Sequence, residues 1–481
     1  MEMYLRERFH QSSAGIRSIA PKIQILKNIF ILGIGFSLLQ TMYGPIRTFM
    51  AISEKTRAAG TWSIALLYFL STISGLYGSA VARSFRYKPT MVVLSIPYMT
   101  FLGGAVYFQY FTIYPAAAML GLVQGPLWNA AISYMINQAA QFAYFSYQSQ
   151  SSMVERFLTL FNALVSCGSM VGHLIAAAAL SSVEMMHSNN TELAYSKHDQ
   201  TSTGCGRWYC NPTTNMLPAL PLLPEISKLS YLEMSLFVPV YALTVYAGLV
   251  AVAPFMMLGL LDRLTVQLCS QTNKPLNSAD VIRNLVMAFS DRRIQFVLPM
   301  TIFVGISEAF FTCDVAKAFV ECTSPRSMTG YLMFGYGCIT TLFHASLGTV
   351  LVHISRLAVA LTGLLISLGS LVVMWMWRPD DKDPPVLFVI AASWAMCEAI
   401  WKTLSITLIY KLFPEKWEAP FAAYLMALSF GLGIGFFTCP FTCMEYKIYL
   451  VAFSLLTALF PYGLLEFKLQ NNQRRQLIPA Q

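Results

Sequence analysis

The sequence predicts an all-α polytopic membrane protein with about twelve transmembrane helices in two six-helix halves. Of its 481 residues, 56% are hydrophobic and only 11% are charged, whereas about 25% of the residues of a soluble domain are charged. Apolar runs of roughly 20 residues recur along the chain, each long enough to cross the hydrocarbon core of a bilayer. A transmembrane barrel would instead show alternating strands of about ten residues.

The apolar runs define the predicted helices one by one. The first begins near Leu26 behind a polar, basic stretch. It is too long and too deep in the chain for a secretory signal, so we treat it as a permanent span. Several runs lie close to their neighbours, so counts of eleven or thirteen stay open. The predicted spans are 26–52, 60–82, 90–109, 113–138, 157–180, 233–261, 294–320, 328–352, 357–377, 386–411, 420–442 and 448–467.

The distribution of basic residues predicts the orientation. With the N-terminus in the cytosol, twenty Lys and Arg residues fall in cytosolic segments and nine in segments on the other side, as the positive-inside rule requires. The formal net charge of +9 follows from this asymmetry. It favours some attraction to anionic lipid and gives no sign of a nucleic-acid-binding face. The predicted parts are a cytosolic segment 1–25, a first half 26–261 with a lumenal or extracellular loop 181–232, a cytosolic linker 262–293, a second half 294–467 and a cytosolic tail 468–481.

The two long polar segments carry further signals. The middle of the linker is amphipathic, which favours a helix on the membrane surface; a helix that docks a partner is the alternative. The loop contains an Asn-Asn-Thr sequon, so Asn189 is a glycosylation candidate. In "CGRWYC", Cys205 and Cys210 are close in sequence and would face an oxidising compartment, so we predict a disulfide between them. No second Cys or His pair stands at ligand spacing nearby, so no metal site is expected; Cys322 has no partner that the sequence identifies.

The fourth predicted span contains "GLVQGPLWNAAISY", residues 121–134. Gly-Pro would strongly destabilise a water-exposed helix. A membrane helix tolerates it, because neighbouring helices satisfy the carbonyl that proline leaves free. Glycines four apart, here and in the fifth span, let helices approach closely. We expect this stretch to pack tightly and to line the cleft between the halves, with ligand contact as the alternative; the packing residues predicted are Gly121, Gly125, Pro126, Trp128, Gly168 and Gly172.

Motifs along nearly the whole chain resemble one family in their order and spacing. They are "IGFSLLQTMYGPIRTF" in the first span, the fourth-span stretch, "CGRWYC", "DRRIQFVLPMTIFVGISEAFFTCDVAKAFVEC" in the seventh span, and "CEAIWKTLSITLIYKLF" and "EAPFAAYLMALSFGLGIGF" in the tenth and eleventh. These motifs resemble the Unc-ninety-three (uncoordinated) family of major-facilitator-like proteins. The resemblance implies a major-facilitator-like fold. It also implies a regulatory or trafficking role, as in members that serve as potassium-channel subunits or as escorts of receptors from the endoplasmic reticulum.

Charged residues within the predicted spans are candidates for function, because an ion at mid-bilayer costs about 2.5–3.5 kcal/mol on insertion scales and usually faces protein or water. Glu398 and Lys402 are at i and i+4 with the acid first, the favourable order for a helical pair. Asp314 and Lys317 are three apart and could pair likewise. Lys402 departs from the family pattern, in which a neutral residue often follows the tenth-span tryptophan.

Glu308 is the best candidate for a proton or cation site. No base stands three or four residues away from it in the seventh span, and burial of a lone acid favours its neutral form. Arg47, near the end of the first span, could snorkel to the interface or reach Glu308, and both possibilities stay open. The structural alternative is that the buried charges pair with one another.

Two functions are compatible with these observations. The sequence lacks a GxxxxGK[ST] loop, an HExxH motif and a nucleophile elbow, so we expect no enzyme and no cofactor. His173 and His344, which lie within spans, are expected to be hydrogen-bonded core groups. The first function is a regulatory or trafficking subunit of another membrane protein, above all a potassium channel. The second is a secondary transporter of a small solute coupled to protons or cations. The expected partners are the bilayer and another membrane protein, in the plasma membrane or an endomembrane.

Overall fold

The structure is a computed structural model that describes residues 19–53, 58–190, 204–210, 238–264, 278–379 and 384–477. These residues form helices joined by turns, and no β-strand occurs among them. A short helix, Ser278–Ser290, is called the linker helix. The long helices are α1 (Ile19–Ile52), α2 (Ala59–Ser84), α3 (Tyr87–Val106), α4 (Tyr110–Ser146), α5 (Gln150–Asn190), α6 (Val240–Leu260), α7 (Arg292–Glu321), α8 (Arg326–His353), α9 (Arg356–Met376), α10 (Pro384–Leu412), α11 (Glu418–Thr438) and α12 (Met444–Leu477).

Within the described residues, eleven of these helices are long and apolar enough to cross a membrane. The twelfth, α4, carries the polar residues Gln124, Asn129, Asn137 and Gln138, all of which are buried inside the bundle. A helix that faces other helices needs less apolar surface than one that faces lipid. The predicted fold class, an all-α polytopic membrane protein with about twelve helices, is confirmed.

Helix ends differ from the predicted ones, because an apolar run marks the hydrocarbon core and not the whole helix. Intrahelical hydrogen bonds continue through polar residues. Accordingly α5 runs to Asn190, into the predicted loop, and α12 runs to Leu477, into the predicted tail. Helix α1 begins at Ile19, within the predicted N-terminal segment. The rest of that segment, most of the loop and part of the linker lie outside the described residues.

Two spans depart from a regular α-helix. The sequence predicts one helix over 90–109, but α3 consists of Tyr87–Leu94 and Pro97–Val106. Pro97 has no N–H group and its ring crowds the carbonyl of Val93, which interrupts the helix. Helix α7 continues as a π-helix over Phe310–Glu321. Such turns are rare and are frequently found at functional sites.

The two halves repeat one packing scheme. In the first half α1 packs on α5 and α2 on α4; in the second half α7 packs on α11 and α8 on α10. Between the halves α2 packs on α11 and α5 packs on α8. Each half thus contributes the equivalent pair of helices to the contact, which is the organisation of two parallel six-helix repeats.

Glycines in α4 and α5 allow backbones to touch. A Cβ atom on Gly125 would lie 2.6 Å from the main-chain carbonyl carbon of Ser74 in α2. A Cβ atom on Gly172 would lie 2.8 Å from the main-chain carbonyl carbon of Thr41 in α1. Gly121 and Gly168 meet backbone atoms of α2 and α1 in the same way. A larger residue at these positions would separate α2 from α4, or α1 from α5.

The bundle has two chemically different ends. At the end where α1 begins and α12 ends, called the terminal face, two ion pairs join the halves. Arg83 pairs with Glu418, and Arg356 Nη2 lies 2.7 Å from Glu155 Oε1. The opposite end, called the disulfide face, carries the cystine bridges described below.

The linker helix lies against α2, α7 and α11 at the terminal face. Its inner side buries Val281 and Leu285, whereas Ile282, Val286 and Met287 are exposed on its outer side. A second apolar side is what a helix on a membrane surface presents to lipid.

Candidate functional site

A cavity of about 200 Å³ lies between the two halves. Its walls come from α1, α2, α4 and α5 of the first half and from α7, α8, α10 and α11 of the second. Four of the six predicted charged residues line it, namely Arg47, Glu308, Glu398 and Lys402. Among the cavity-lining residues that the structure describes, no other Asp, Glu, Lys or Arg occurs.

These four side chains form one connected series, called the charged row. Arg47 Nη1 on α1 lies 2.7 Å from Glu308 Oε1 on α7, and Lys402 Nζ on α10 lies 3.2 Å from Glu308 Oε2. Lys402 Nζ also lies 3.4 Å from Glu398 Oε1, one turn earlier on α10. The row runs Arg47, Glu308, Lys402, Glu398; it alternates in sign, carries no net charge and connects the two halves.

Glu308 is therefore not the lone acid for which the sequence predicted a neutral carboxyl. Both of its carboxylate oxygens are in ion pairs, and its side chain is only 12% exposed. The sequence places no base near it on α7, but the packing brings one from α1 and one from α10. Arg47 reaches Glu308, which decides between the two positions that the sequence left open for it.

Tyrosine hydroxyls hold both ends of the charged row. Tyr68 OH accepts a hydrogen bond from Arg47 Nη1 at 2.7 Å and another from Tyr43 OH at 2.8 Å. At the other end Tyr336 OH donates to Glu398 Oε2. Hydrogen bonds to charged groups typically contribute about 1.5–3 kcal/mol, so these hydroxyls fix the positions of the charges.

The local sequence of α7 explains why Glu308 reaches the cavity. A Cβ atom on Gly305 would lie 2.6 Å from the backbone nitrogen of Leu432, so glycine lets α7 lie directly against α11. Thr312, in the π-helix, donates to the carbonyl of Glu308 at 2.8 Å. The π-helix begins at Phe310, two residues after Glu308.

The fourth-span stretch contributes an apolar part of the wall. Trp128 and Ile132 of α4 line the cavity beside Phe161 of α5. The Trp128 and Phe161 rings have centroids 6.2 Å apart and planes inclined by 72°, an edge-to-face contact that favours a rigid surface.

Helix α2 satisfies the backbone of this stretch. Pro126 has no N–H group, which leaves the carbonyl of Leu122 without its intrahelical donor. Tyr77 OH donates to that carbonyl at 2.7 Å. The N–H group of Gly125 donates to Ser74 Oγ at 3.0 Å. The Gly-Pro step is therefore compatible with burial because side chains of a neighbouring helix replace the missing bonds.

The two buried histidines also line the cavity. His173 Nδ1 lies 2.8 Å from the carbonyl oxygen of Ser169, and its Nε2 lies 3.2 Å from Thr48 Oγ1. His344 Nδ1 lies 3.2 Å from Thr403 Oγ1. Both rings thus have hydrogen-bonding partners, as expected for core histidines.

The predicted pairing of Cys205 with Cys210 is wrong. Cys205 is bonded to Cys322, after α7, and Cys210 to Cys443, before α12. Between the two cysteines the chain forms a short 3-10 turn, Gly206–Trp208. This turn sits on the second half, so each thiol meets a cysteine of a different loop. Two disulfides consequently bond the segment 205–210, which follows α5 of the first half, to the second half.

An arginine between two tryptophan rings holds the same turn in place. The Arg207 guanidinium lies 4.4 Å from the ring centroid of Trp208 and 4.6 Å from that of Trp375 on α9. Gly206 has a φ of 72° and would place a Cβ atom 2.7 Å from Pro379 Cδ. Glycine is required here because the backbone conformation is left-handed and the contact leaves no space.

Asp314 forms an ion pair with Lys447 of α12, a partner that the sequence did not indicate. The pairing of Asp314 with Lys317 stays a prediction. Lys447 Nζ also donates to the carbonyl of Cys439 at 2.7 Å. Cys313, Asp314 and Cys439 lie within 4.8 Å of one another, but the two sulfurs form a third disulfide.

The glycosylation candidate Asn189 lies in the last turn of α5. The described residues do not include its side chain or Thr191, which completes the sequon. Glycosylation at this position stays a prediction.

Two solved transporter structures have the same architecture. The chain superposes on the nucleoside transporter NupG with a TM-score of 0.60 and 11% identity, covering 92% of this chain and 99% of that one. The match to the E. coli fucose:proton symporter FucP has a TM-score of 0.57 and 13% identity, with coverage of 92% and 99%. At these identities the similarity concerns the fold alone. The molecule is therefore a helical membrane protein with the major-facilitator fold.

Sequence similarity then identifies the family. The family model described as "Ion channel regulatory protein UNC-93" matches residues 52–461, and the chain belongs to this family. Protein unc-93 homolog A is 25% identical in Xenopus laevis, over 92% of this chain and 93% of that protein. The human homolog A is 23% identical, over 95% and 96%. A Caenorhabditis elegans protein, unc-93, whose name proposes a potassium channel regulatory role, is 21% identical over 90% of this chain and 60% of its own length. The family resemblance found in the motifs is confirmed.

Proposed function

We propose that the chain is a membrane-embedded regulatory or trafficking subunit that acts on another membrane protein, with a potassium channel as the partner. The observation that carries this proposal is the family match over residues 52–461, because the family is described as one of ion channel regulatory proteins. The name of the Caenorhabditis elegans relative supports a potassium channel in particular. Such a role requires no catalytic chemistry, and we do not propose an enzyme.

The charged row supports a structural role for the central charges. A proton-coupling acid must release and rebind its proton during each cycle. Here Glu308 has two basic partners, and Glu398 has Lys402 and Tyr336. Every acid of the row is thus engaged in contacts that stabilise the bundle, as a scaffold requires.

Co-purification tests the proposal directly. The tagged full-length chain, extracted in mild detergent, is expected to retain a potassium-channel subunit in near-stoichiometric amount, and co-expression should change the current or the surface density of that channel. Tagged FucP is the matched control, since it shares the fold at 13% identity. Absence of any channel in the complex, together with an unchanged current, would contradict the proposal.

We further propose that both termini face the cytosol, so that the disulfide face is lumenal or extracellular. The three cystine bridges support this orientation, because disulfides persist in oxidising compartments. Tags at residues 1 and 481 should become accessible only after permeabilisation. Glycosidase should shift the mobility of the wild type but not of Asn189→Gln; Asn211→Gln is the matched control, because proline follows Asn211 and blocks that sequon. A tag accessible on intact cells would reverse the orientation.

The cavity favours a second candidate function, secondary transport. It lies between two halves that pack as equivalent repeats, which is where transporters of this architecture bind solutes. The test is uptake into liposomes that contain the purified chain alone. Solute uptake without any partner supports transport, whereas a chain that moves nothing but alters a channel supports regulation.

A further inference from the structure

We infer that the central cavity binds a small zwitterion with an apolar or aromatic side group, of about the size of an amino acid. The inference concerns binding only. It goes beyond the regulatory function and holds whether the ligand is carried or merely controls the conformation of the subunit.

The charge balance of the cavity disfavours ligands with a single net charge. The four charged side chains that line it sum to zero, and each contacts one of opposite sign. A net anion or cation would leave one charge uncompensated in a largely buried site, which is strongly unfavourable. A molecule that brings one positive and one negative group keeps the balance.

The geometry of the charged row shows where a zwitterion fits. Its two inner members each have two partners: Glu308 contacts Arg47 and Lys402, and Lys402 contacts Glu308 and Glu398. The 3.2 Å contact between Glu308 and Lys402 can therefore open while both keep one ion-pair partner. The ligand's carboxylate would then bind Lys402 and its ammonium group would bind Glu308. These two ligand groups must lie close together, as in an α-amino acid, where both are bonded to the same carbon.

One part of the remaining wall is apolar and fits an apolar side group. Trp128, Ile132, Phe161 and Val165 line the same cavity from the first half. A volume of about 200 Å³ corresponds to roughly 13–20 water-sized spheres at 10–15 Å³ each, enough for a ligand of about a dozen non-hydrogen atoms. Leucine and phenylalanine have this size and carry the required apolar group.

A matched series of four probes tests the inference on the purified full-length chain in lipid nanodiscs. L-Phenylalanine is a zwitterion, L-phenylalaninamide a cation, N-acetyl-L-phenylalanine an anion, and N-acetyl-L-phenylalaninamide has no charge. Calorimetry or thermal shift should give L-phenylalanine a dissociation constant at least about tenfold lower than those of the other three. Equal binding of the uncharged probe, tighter binding of a singly charged probe, or no binding in the series would each overturn the inference.

Two variants on one turn of α10 should replace the preference for the zwitterion by preferences for probes of opposite charge. Lys402→Gln gives the row a net charge of −1 and should favour the cationic probe; Glu398→Gln gives it +1 and should favour the anionic probe. Trp128→Leu should weaken L-phenylalanine binding, whereas Phe460→Leu, whose ring is 71% exposed on α12, should not. If the variants fold poorly, binding of the four probes to the wild type still tests whether the cavity prefers a zwitterion. Because no channel is present, failure here is distinguishable from failure of the proposed regulatory function.

Discussion

Replacing Glu308 by glutamine tests the charged row most directly. Glu308 Oε1 lies 2.7 Å from Arg47 and Oε2 lies 3.2 Å from Lys402. Glutamine has nearly the same shape but no charge, so both bases lose a counter-charge and the row becomes net positive. We therefore expect destabilisation, whereas a neutral acid would tolerate the change.

The magnitude follows from the partners that remain. Removing one member of a buried ion pair typically costs about 3–5 kcal/mol. Lys402 keeps Glu398, and Arg47 keeps Tyr68, so we expect a value near the lower limit, about 3 kcal/mol. With an unfolding entropy of about 2.1 cal/mol/K per residue, this corresponds to a fall of roughly 3 °C in the melting temperature of the chain.

The assay is thermal unfolding of purified variants in mild detergent, followed by intrinsic fluorescence. The double variant Arg47→Gln/Glu308→Gln restores a row without net charge, so it should be more stable than the sum of the single effects predicts, by about 1–3 kcal/mol. Glu445→Gln, an acid outside the row at the start of α12, is the matched control. Wild-type stability of Glu308→Gln, or strict additivity in the double variant, would refute the argument.

Substitutions at three further contacts of the bundle give additional tests. Gly125→Leu should lower the abundance and the melting temperature of the chain, since the new side chain would meet the backbone of α2. Gly248→Leu is the control, because no atom lies within 4 Å of its Cβ position. Equal abundance of the two variants would contradict a tight contact at Gly125. Cys443→Ser and Cys210→Ser should each leave one thiol free for labelling and should destabilise equally, because they break the same bond; mass mapping of a Cys205–Cys210 peptide would contradict the pairing. Tyr77→Phe should cost about 1 kcal/mol, because the carbonyl of Leu122 loses its donor, and Tyr446→Phe at an exposed site is the control.

The fold could be predicted from the sequence because the bilayer imposes it. Each span must bury about 20 apolar residues, so the runs appear directly in the sequence, and the basic residues give a direction. Helix α4, which is not among the eleven helices that are long and apolar enough to cross a membrane, could still be predicted, since its glycines and proline lie within an apolar run. The break before Pro97 and the π-helix after Glu308 could not be predicted from the apolar runs, because they depend on local crowding and packing.

The site could be predicted only where partners share a regular helix. Glu398 and Lys402 are one turn apart, and their contact follows from helical geometry. The contacts of Glu308 with Arg47 and Lys402 join residues 261 and 94 positions apart, which only the packing of three helices brings together. The same holds for Cys205 and Cys322, separated by 117 positions.

Several residues of the site had no sequence signal of their own. Tyr68, Tyr336 and Lys447 become important only through the charges they meet. The chain has 24 tyrosines, and its sequence does not distinguish these two from the others. Lys447 is one of several bases in the segments predicted on the disulfide face. Tyr43 stands in a motif of the first span, but that motif does not indicate its contact with Tyr68.

The charged row constrains both candidate functions in the same way. It fastens α1 of the first half to α7 and α10 of the second through Glu308, while Arg83–Glu418 and Arg356–Glu155 fasten the halves at the terminal face. A movement that separates the halves at the cavity must break the contact between Arg47 and Glu308. The separated charges then need new partners, because an unpaired buried ion is costly. Lys402 can still neutralise Glu308. Glu398, the other acid that lines the cavity, lies on α10 of the second half, so Arg47 on α1 would keep the hydroxyl of Tyr68 as its partner. Separating the halves at the cavity therefore costs the ion pair between Arg47 and Glu308, in a regulator as in a transporter.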